Sequence, residues 1–148
     1  MKNQMDTSAL CRPVVYITVR DPVCRSMLVD ALEREGWAVI AKPTGFHLIQ
    51  AIADMIEGRL PWRDPSMIIV DAIAPGCMGT TIAAGLRDLG IAIPIVLVRE
   101  PGQRVSEPCD AATSVVDRAA AVSTITELAR SHGLLRVREP RPPQRASA

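Results

Sequence analysis

The sequence predicts an α/β fold, a doubly wound five-stranded parallel sheet spanning residues 13–131, and three observations predict it. Short unbroken apolar runs recur along the chain: VVYITV (14–19), WAVIA (37–41), MIIV (67–70), PIVLV (94–98) and SVV (114–116). Between the first four lie segments whose apolar residues repeat at helical spacing. The runs themselves are continuous rather than alternating, the pattern of strands buried on both faces. Strands and helices that alternate in this way build a parallel sheet covered on both sides.

Each element follows from local chemistry. VVYITV is β-branched and short, a buried strand. Asp21-Pro22 opens a helix with Met27, Leu28, Ala31 and Leu32 on its apolar face, and Gly36 stops it. After the WAVIA strand, residues 45–60 repeat apolar side chains at Leu48, Ile49, Ile52, Met55 and Ile56, a second amphipathic helix. PWRDPS is a turn before the MIIV strand. Gly79 to Leu89 carry Ile82, Leu86 and Leu89 on one face, the third helix. A helix is then due between PIVLV and SVV, but REPGQRVSEPCDAAT (99–113) has two prolines, a glycine and no helical period, so that helix is short or missing. Ala119–Ser131 close the domain, with Val122, Ile125 and Leu128 turned inward. Residues 1–12 read as a polar arm. Residues 132–148, ending RVREPRPPQRASA, read as a Pro/Arg-rich disordered tail with little to bury.

Composition narrows the function classes. Nearly half of the 148 residues are hydrophobic, yet four in all are Phe, Trp or Tyr, so the core is aliphatic. A net charge of +1 gives no field to recruit nucleic acid or an anionic membrane. So few aromatics leave no platform for stacking bases. The longest apolar runs fall short of the roughly 18–20 residues a membrane helix needs, and the N-terminus has no signal-peptide core. The four cysteines, Cys11, Cys24, Cys77 and Cys109, form no C-x-x-C pair, which reads as reduced thiols in the cytoplasm. Cys24 at a helix start and Cys77 after Asp71 lie near one rim, where a thiol's pKa can fall, but no redox partner accompanies them. His47 and His132 stand without catalytic companions and read as structural or solvated.

The stretch that stands out is MIIVDAIAPGCMG (67–79), an apolar strand ending in a single carboxylate and followed by a tight turn. Open parallel sheets gather functional groups at the carboxyl ends of their strands, which is where Asp71 falls. This stretch resembles the phosphoacceptor strand and turn of the receiver domain of bacterial two-component response regulators, with Pro75, Gly76 and Gly79 at the usual offsets. LRDLGIAIPIVLV (86–98) is similar to the family's third helix and fourth strand, and PVVYITVRDP (13–22) to its first strand and acidic turn. The resemblance implies a flavodoxin-like strand order, 2-1-3-4-5. It also implies phosphorylation on the Asp71 position by a histidine kinase, with Mg²⁺ held by the phosphoacceptor and acids after the first strand.

The chain departs from that pattern almost everywhere else. The two acidic positions fall on Val19 and Arg20, with Asp21 alone acidic beside them. The Ser/Thr position falls on Arg99, the Lys position on Asp117, and Arg118 replaces the proline that follows. Asp71, Asp117, Arg20 and Arg99 sum to zero charge, a pocket able to neutralise itself. The expectation is that the Arg20 and Arg99 guanidiniums pair with Asp71 and Asp117, since arginine's planar fork suits carboxylates. No resident cofactor is then expected. For a metal, Asp21 and Asp71 are the candidates, with Asp117 joining them in a three-carboxylate alternative.

The expected function is a stand-alone receiver-like protein of two-component signalling, an atypical or pseudo-receiver working by protein–protein interaction and not an enzyme. The alternative is a working phosphorelay receiver phosphorylated on Asp71. A flavodoxin-like flavin protein would need a phosphate-cradling loop after the first strand, and TVRDPVC has no glycine for one. No DNA-binding segment follows residue 131 in this sequence, so output is expected through a partner: a histidine kinase, another signalling protein, or a second copy in a homodimer.

Overall fold

Five β-branched and aliphatic runs pair in parallel, and the three at the centre of the sheet are buried on both faces. In the computed structural model, which describes residues 12–59, 65–73, 78–105 and 112–138, they are β1 (Val14–Thr18), β2 (Ala38–Ala41), β3 (Pro65–Asp71), β4 (Ile95–Arg99) and β5 (Thr113–Asp117). The sheet order is β2-β1-β3-β4-β5, as the resemblance implies. Register sets the rim: Thr18 lies opposite Val70, Asp71 opposite Val98, and Arg99 opposite Asp117.

Helices α1 (Pro22–Arg34), α2 (Gly45–Ile56), α3 (Gly79–Asp88) and α4 (Ala121–Arg138) cover the two faces. Asp21 caps α1 by accepting from the Cys24 amide at 2.8 Å, with Pro22 in the first turn. Thr44 caps α2, and its hydroxyl also meets His47 Nδ1 at 2.7 Å, which gives His47 a capping role. One core layer joins Val15, Ile17, Val19, Ile69, Val96 and Val98 to Leu28 and Leu32 of α1 and Ile125 of α4. The other joins Tyr16, Ile68, Val70, Ile95 and Leu97 to α2 and α3.

Several boundaries differ from the sequence pattern, each for a local reason. β3 begins two residues early, at Pro65, a position where the missing N–H is tolerated. It also includes Asp71, because the Ala72 amide still donates to Val98 O at 2.9 Å. Trp37 precedes β2; its amide turns back to Leu32 O and its ring is buried. α2 stops at Ile56 rather than 60, because Gly58 turns the chain at φ +78°. α4 is entered through a 3-10 turn, Arg118–Ala120, and runs to Arg138. Residues 132–138 thus continue a helix rather than begin a tail. Among the described residues between β4 and β5 there is no helix. The arm up to residue 11, residues 60–64, Pro75, Gly76, Cys11, Cys77, Cys109 and the tail beyond 138 lie outside the described residues.

Some apolar residues assigned to the core do not reach it. Met27, Ile49 and Ile56 are about half exposed, and Leu89 and Leu128 also face outward. Ile49, Ile56 and Leu89 instead flank an apolar groove of about 300 Å³ between α2 and α3.

Thr18 ends β1 with its hydroxyl buried and without a hydrogen-bond partner among the described residues. By strand alternation it faces the α2–α3 layer with Tyr16, away from Asp71. Leaving a buried hydroxyl unsatisfied costs stability, and valine has the same shape without it. Thr18→Val is therefore expected to stabilise the fold by about 1 kcal/mol, read as a rise of roughly 3 °C in thermal melting. A lower melting temperature would show that the hydroxyl has a partner.

Candidate functional site

Period-2 alternation decides what the rim presents. Asp71 shares a face with Ile69 and Met67, the face toward α1 and α4. Val98 and Val116 point the same way, so the next residues on that face are Glu100 and Arg118. Arg99 and Asp117 fall with Leu97 and Val115 on the opposite face.

The contacts follow this geometry. Asp71 is buried, 6% exposed, and its Oδ2 accepts from the Arg20 backbone amide at 2.8 Å. Arg118 Nη1 lies 2.8 Å from Glu100 Oε2 and 3.3 Å from Asp21 Oδ2. Asp21 is thus doubly used, Oδ1 capping α1 and Oδ2 meeting Arg118. Glu100 and Gln103 tie their turn together: the Glu100 amide donates to Gln103 Oε1 at 3.0 Å, and the Gln103 amide to Glu100 O at 3.1 Å. Arg20, Asp21, Asp71, Ile73, Glu100, Gln103 and Arg118 line a cavity of about 360 Å³ with Asp71 its most buried carboxylate.

Electrostatics push this carboxylate toward its neutral form. Burial raises the Asp71 pKa above the ordinary carboxylate value, and the charges of Glu100 and Asp21 raise it further; the Arg20 amide and charge oppose them. Burial likewise lifts the Cys24 thiol, with Asp21 and Asp71 adding to it. The thiol pKa therefore rises at this helix start instead of falling, which argues against a redox role for Cys24.

Of the residues singled out from sequence, the structure brings Asp71, Asp21 and Arg20 to one cavity. Two expectations are corrected. The interaction from Arg20 to Asp71 is made by the backbone amide, with the Arg20 residue itself exposed. Arg99 and Asp117 do pair, Nη2 to Oδ1 at 2.7 Å and Nε to Oδ1 at 2.8 Å, but with each other and outside the cavity lining. Strand alternation points both away from the Asp71 face. Their exposed pairing also removes Asp117 from a carboxylate cluster with Asp21 and Asp71.

Sequence reasoning passed over Glu100 and Gln103, and read Arg118 only as the replacement of a proline, without a place in the cavity. The signal was present: Arg99-Glu100 and Asp117-Arg118 are reciprocal charged pairs, and strands aligned at Arg99 and Asp117 must also set Glu100 beside Arg118.

The donor set does not suit the Mg²⁺ that receiver domains are implied to hold. Val19, at one of the acidic positions, is buried in the core. Asp21 is committed to the helix cap and to Arg118. Among the described residues no group of three Asp, Glu, His or Cys side chains is placed to hold a metal ion. Nor is any described helix long and apolar enough to cross a membrane.

No protein-family model matches the chain, and no curated protein sequence does. Solved structures do. A response regulator receiver domain protein of Bacillus halodurans is 13% identical, with TM-score 0.63 over 82% of this chain and 97% of that one. A CheY-like receiver domain of Methanospirillum hungatei is 15% identical, with TM-score 0.62 over 85% and 98%. The response regulator TrrA of Thermotoga maritima, solved in complex with Mg²⁺-BeF, is 16% identical, with TM-score 0.63 over 82% and 98%. The chain has the fold of response regulator receiver domains, with a rim rebuilt around Arg118.

Proposed function

We propose that this chain is a receiver-like signalling protein of the atypical or pseudo-receiver kind, acting through protein–protein contacts rather than through phosphorylation. One observation carries the reading: a single guanidinium, Arg118, joins Asp21 and Glu100 beside a buried Asp71. An aspartyl phosphate adds about two negative charges, which need a cation and a donor free to receive them. Here the Arg118 guanidinium is already committed to two carboxylates, and burial with the charges of Glu100 and Asp21 raises the pKa of Asp71.

A binding role is supported elsewhere on the surface. Phe46, Ile49, Ile56 and Leu89 expose apolar area along the α2–α3 side, beyond what an isolated surface leucine would mean. The partner is read as another signalling protein in the cytoplasm, a histidine kinase or a second copy of the chain among the candidates. The test is intact mass after incubation with acetyl phosphate, with and without Mg²⁺, beside an Asp71→Ala control. No phosphoryl-sized gain is expected. A gain that vanishes in the control would overturn the reading and make the chain a working phosphorelay receiver.

A further inference from the structure

Helix α2 carries two apolar stripes. Leu48, Ala51, Ile52 and Met55 turn into the core. A helix lying on a sheet needs only that one. Phe46, Ile49, Ala53 and Ile56 form the second, at successive spacings of three, four and three residues, the spacing of a helix–helix seam. Ile49, Ala53 and Ile56 wall one side of the α2–α3 groove, and Phe46 extends their stripe by one turn.

This face holds both protrusions and a hollow. Phe46 and Leu89 are 68% and 67% exposed. Ala53 and Gly85 floor the groove, and nothing lies within 4 Å of a Cβ added at Gly85. A two-fold contact requires that combination, because one patch must serve as both surfaces. The seam also reads the same from either end, being symmetric about Ala51. An identical helix laid antiparallel sets Phe46 against the partner's Ile56 and Ile49 over the hollow at the partner's Ala53.

Charge favours the same arrangement. Helix α2 has no acidic residue in its first turn and no basic residue in its last, and Lys42 precedes it. At its C-terminal end Asp54 and Glu57 outnumber the one arginine, Arg59, that bonds them both. These charges oppose the helix's own dipole. An antiparallel copy answers both ends, bringing a helix N-terminus to the acids of each chain.

We propose that the α2–α3 face pairs with the same face of a second copy of this chain, two-fold and antiparallel. The proposal names the partner for the binding surface described above and rests on that reading of it. Few side chains take part, so the dimer is weak and depends on concentration.

The experiment is sedimentation equilibrium of the full chain up to about 1 mM. The mass is expected to rise from the monomer's to twice that, with a midpoint near about 100 µM, the scale of a small interface. Ile49→Asp puts a charge in the seam, and Gly85→Met fills the hollow with a residue that favours helix over glycine. Each should raise the midpoint about tenfold. Met27→Asp, on the exposed side of α1, is the control and should leave it unchanged. An oxidised mixture of Ile49→Cys and Ala53→Cys proteins should yield a disulfide joining positions 49 and 53, identified by peptide mapping. A protein still monomeric at about 1 mM would overturn the proposal and leave the face to a partner of another sequence. So would a dimer that Ile49→Asp and Gly85→Met both leave intact. These outcomes are separate from the acetyl phosphate test: a phosphoryl gain there removes the pseudo-receiver reading and leaves the dimer standing.

Discussion

Replacing Gly79 by alanine destabilises the protein by about 3 kcal/mol, read as a fall of roughly 9 °C in thermal melting. Gly79 is the first residue of α3, and its backbone φ is unremarkable, so conformational freedom is not the issue. Space is. A Cβ at this position would run into the Asp71 carbonyl oxygen, with the Asp71 carbonyl carbon at 3.0 Å and Leu97 Cδ2 at 3.1 Å. Two of those three atoms are backbone of the central strand and cannot rotate away, so α3 must lift off the sheet. Gly85, in the same helix, is the control. Nothing lies within 4 Å of its added Cβ, and Gly85→Ala should stabilise by about 0.5–1 kcal/mol through helix propensity alone. Opposite signs for one substitution within one helix isolate the close approach as the cause. Equal effects at the two positions would sink the argument.

Gly79 shows how much of this molecule was legible. The spacing of Asp71 and Gly79 was read from a resemblance, and the structure supplies its physical reason: the strand end and the next helix start are in near contact. Strand positions were legible because each strand is an unbroken apolar run among polar segments, a contrast that survives without tertiary information. Their ends were not, since Pro65 and Asp71 join β3 through partners on neighbouring strands. Helix faces were legible for Leu28, Leu32 and Ile125. They failed at Met27 and Ile49, where helical spacing cannot say how wide a stripe the sheet will cover.

The rim was half legible. Asp71 announced itself as a carboxylate ending an apolar strand, and Asp21 as a cap before proline. Arg99 and Asp117 were assigned to the same cavity by position along the sequence. Alternation sends them to the other face and brings in the residues one step further on. A one-residue shift in a strand exchanges every side chain between faces, so position without parity finds the right strand ends and the wrong side chains. Charge balance alone could not correct this, because both pairs, Arg99 with Asp117 and Arg118 with Glu100, are neutral.

The second large effect tests the electrostatics of the corrected rim. Asp71→Asn is expected to stabilise the protein at neutral pH by about 1–2 kcal/mol, the scale of relieving an ionised group that burial has left poorly compensated. Asparagine keeps an oxygen for the Arg20 amide and carries no charge for Glu100 and Asp21 to repel. The sign with pH follows from the raised Asp71 pKa. The folded protein binds the Asp71 proton more tightly than the unfolded chain does. Its contribution to stability is therefore full below the ordinary carboxylate value and is lost as pH rises through the elevated folded one. The advantage of Asp71→Asn should accordingly be present at pH 7 and shrink toward zero as the medium is acidified past the normal carboxylate range. Urea unfolding of both proteins across that range measures it. A variant less stable than the parent at neutral pH would mean that a compensating cation holds ionised Asp71 after all, and would overturn the reading of a poorly compensated carboxylate.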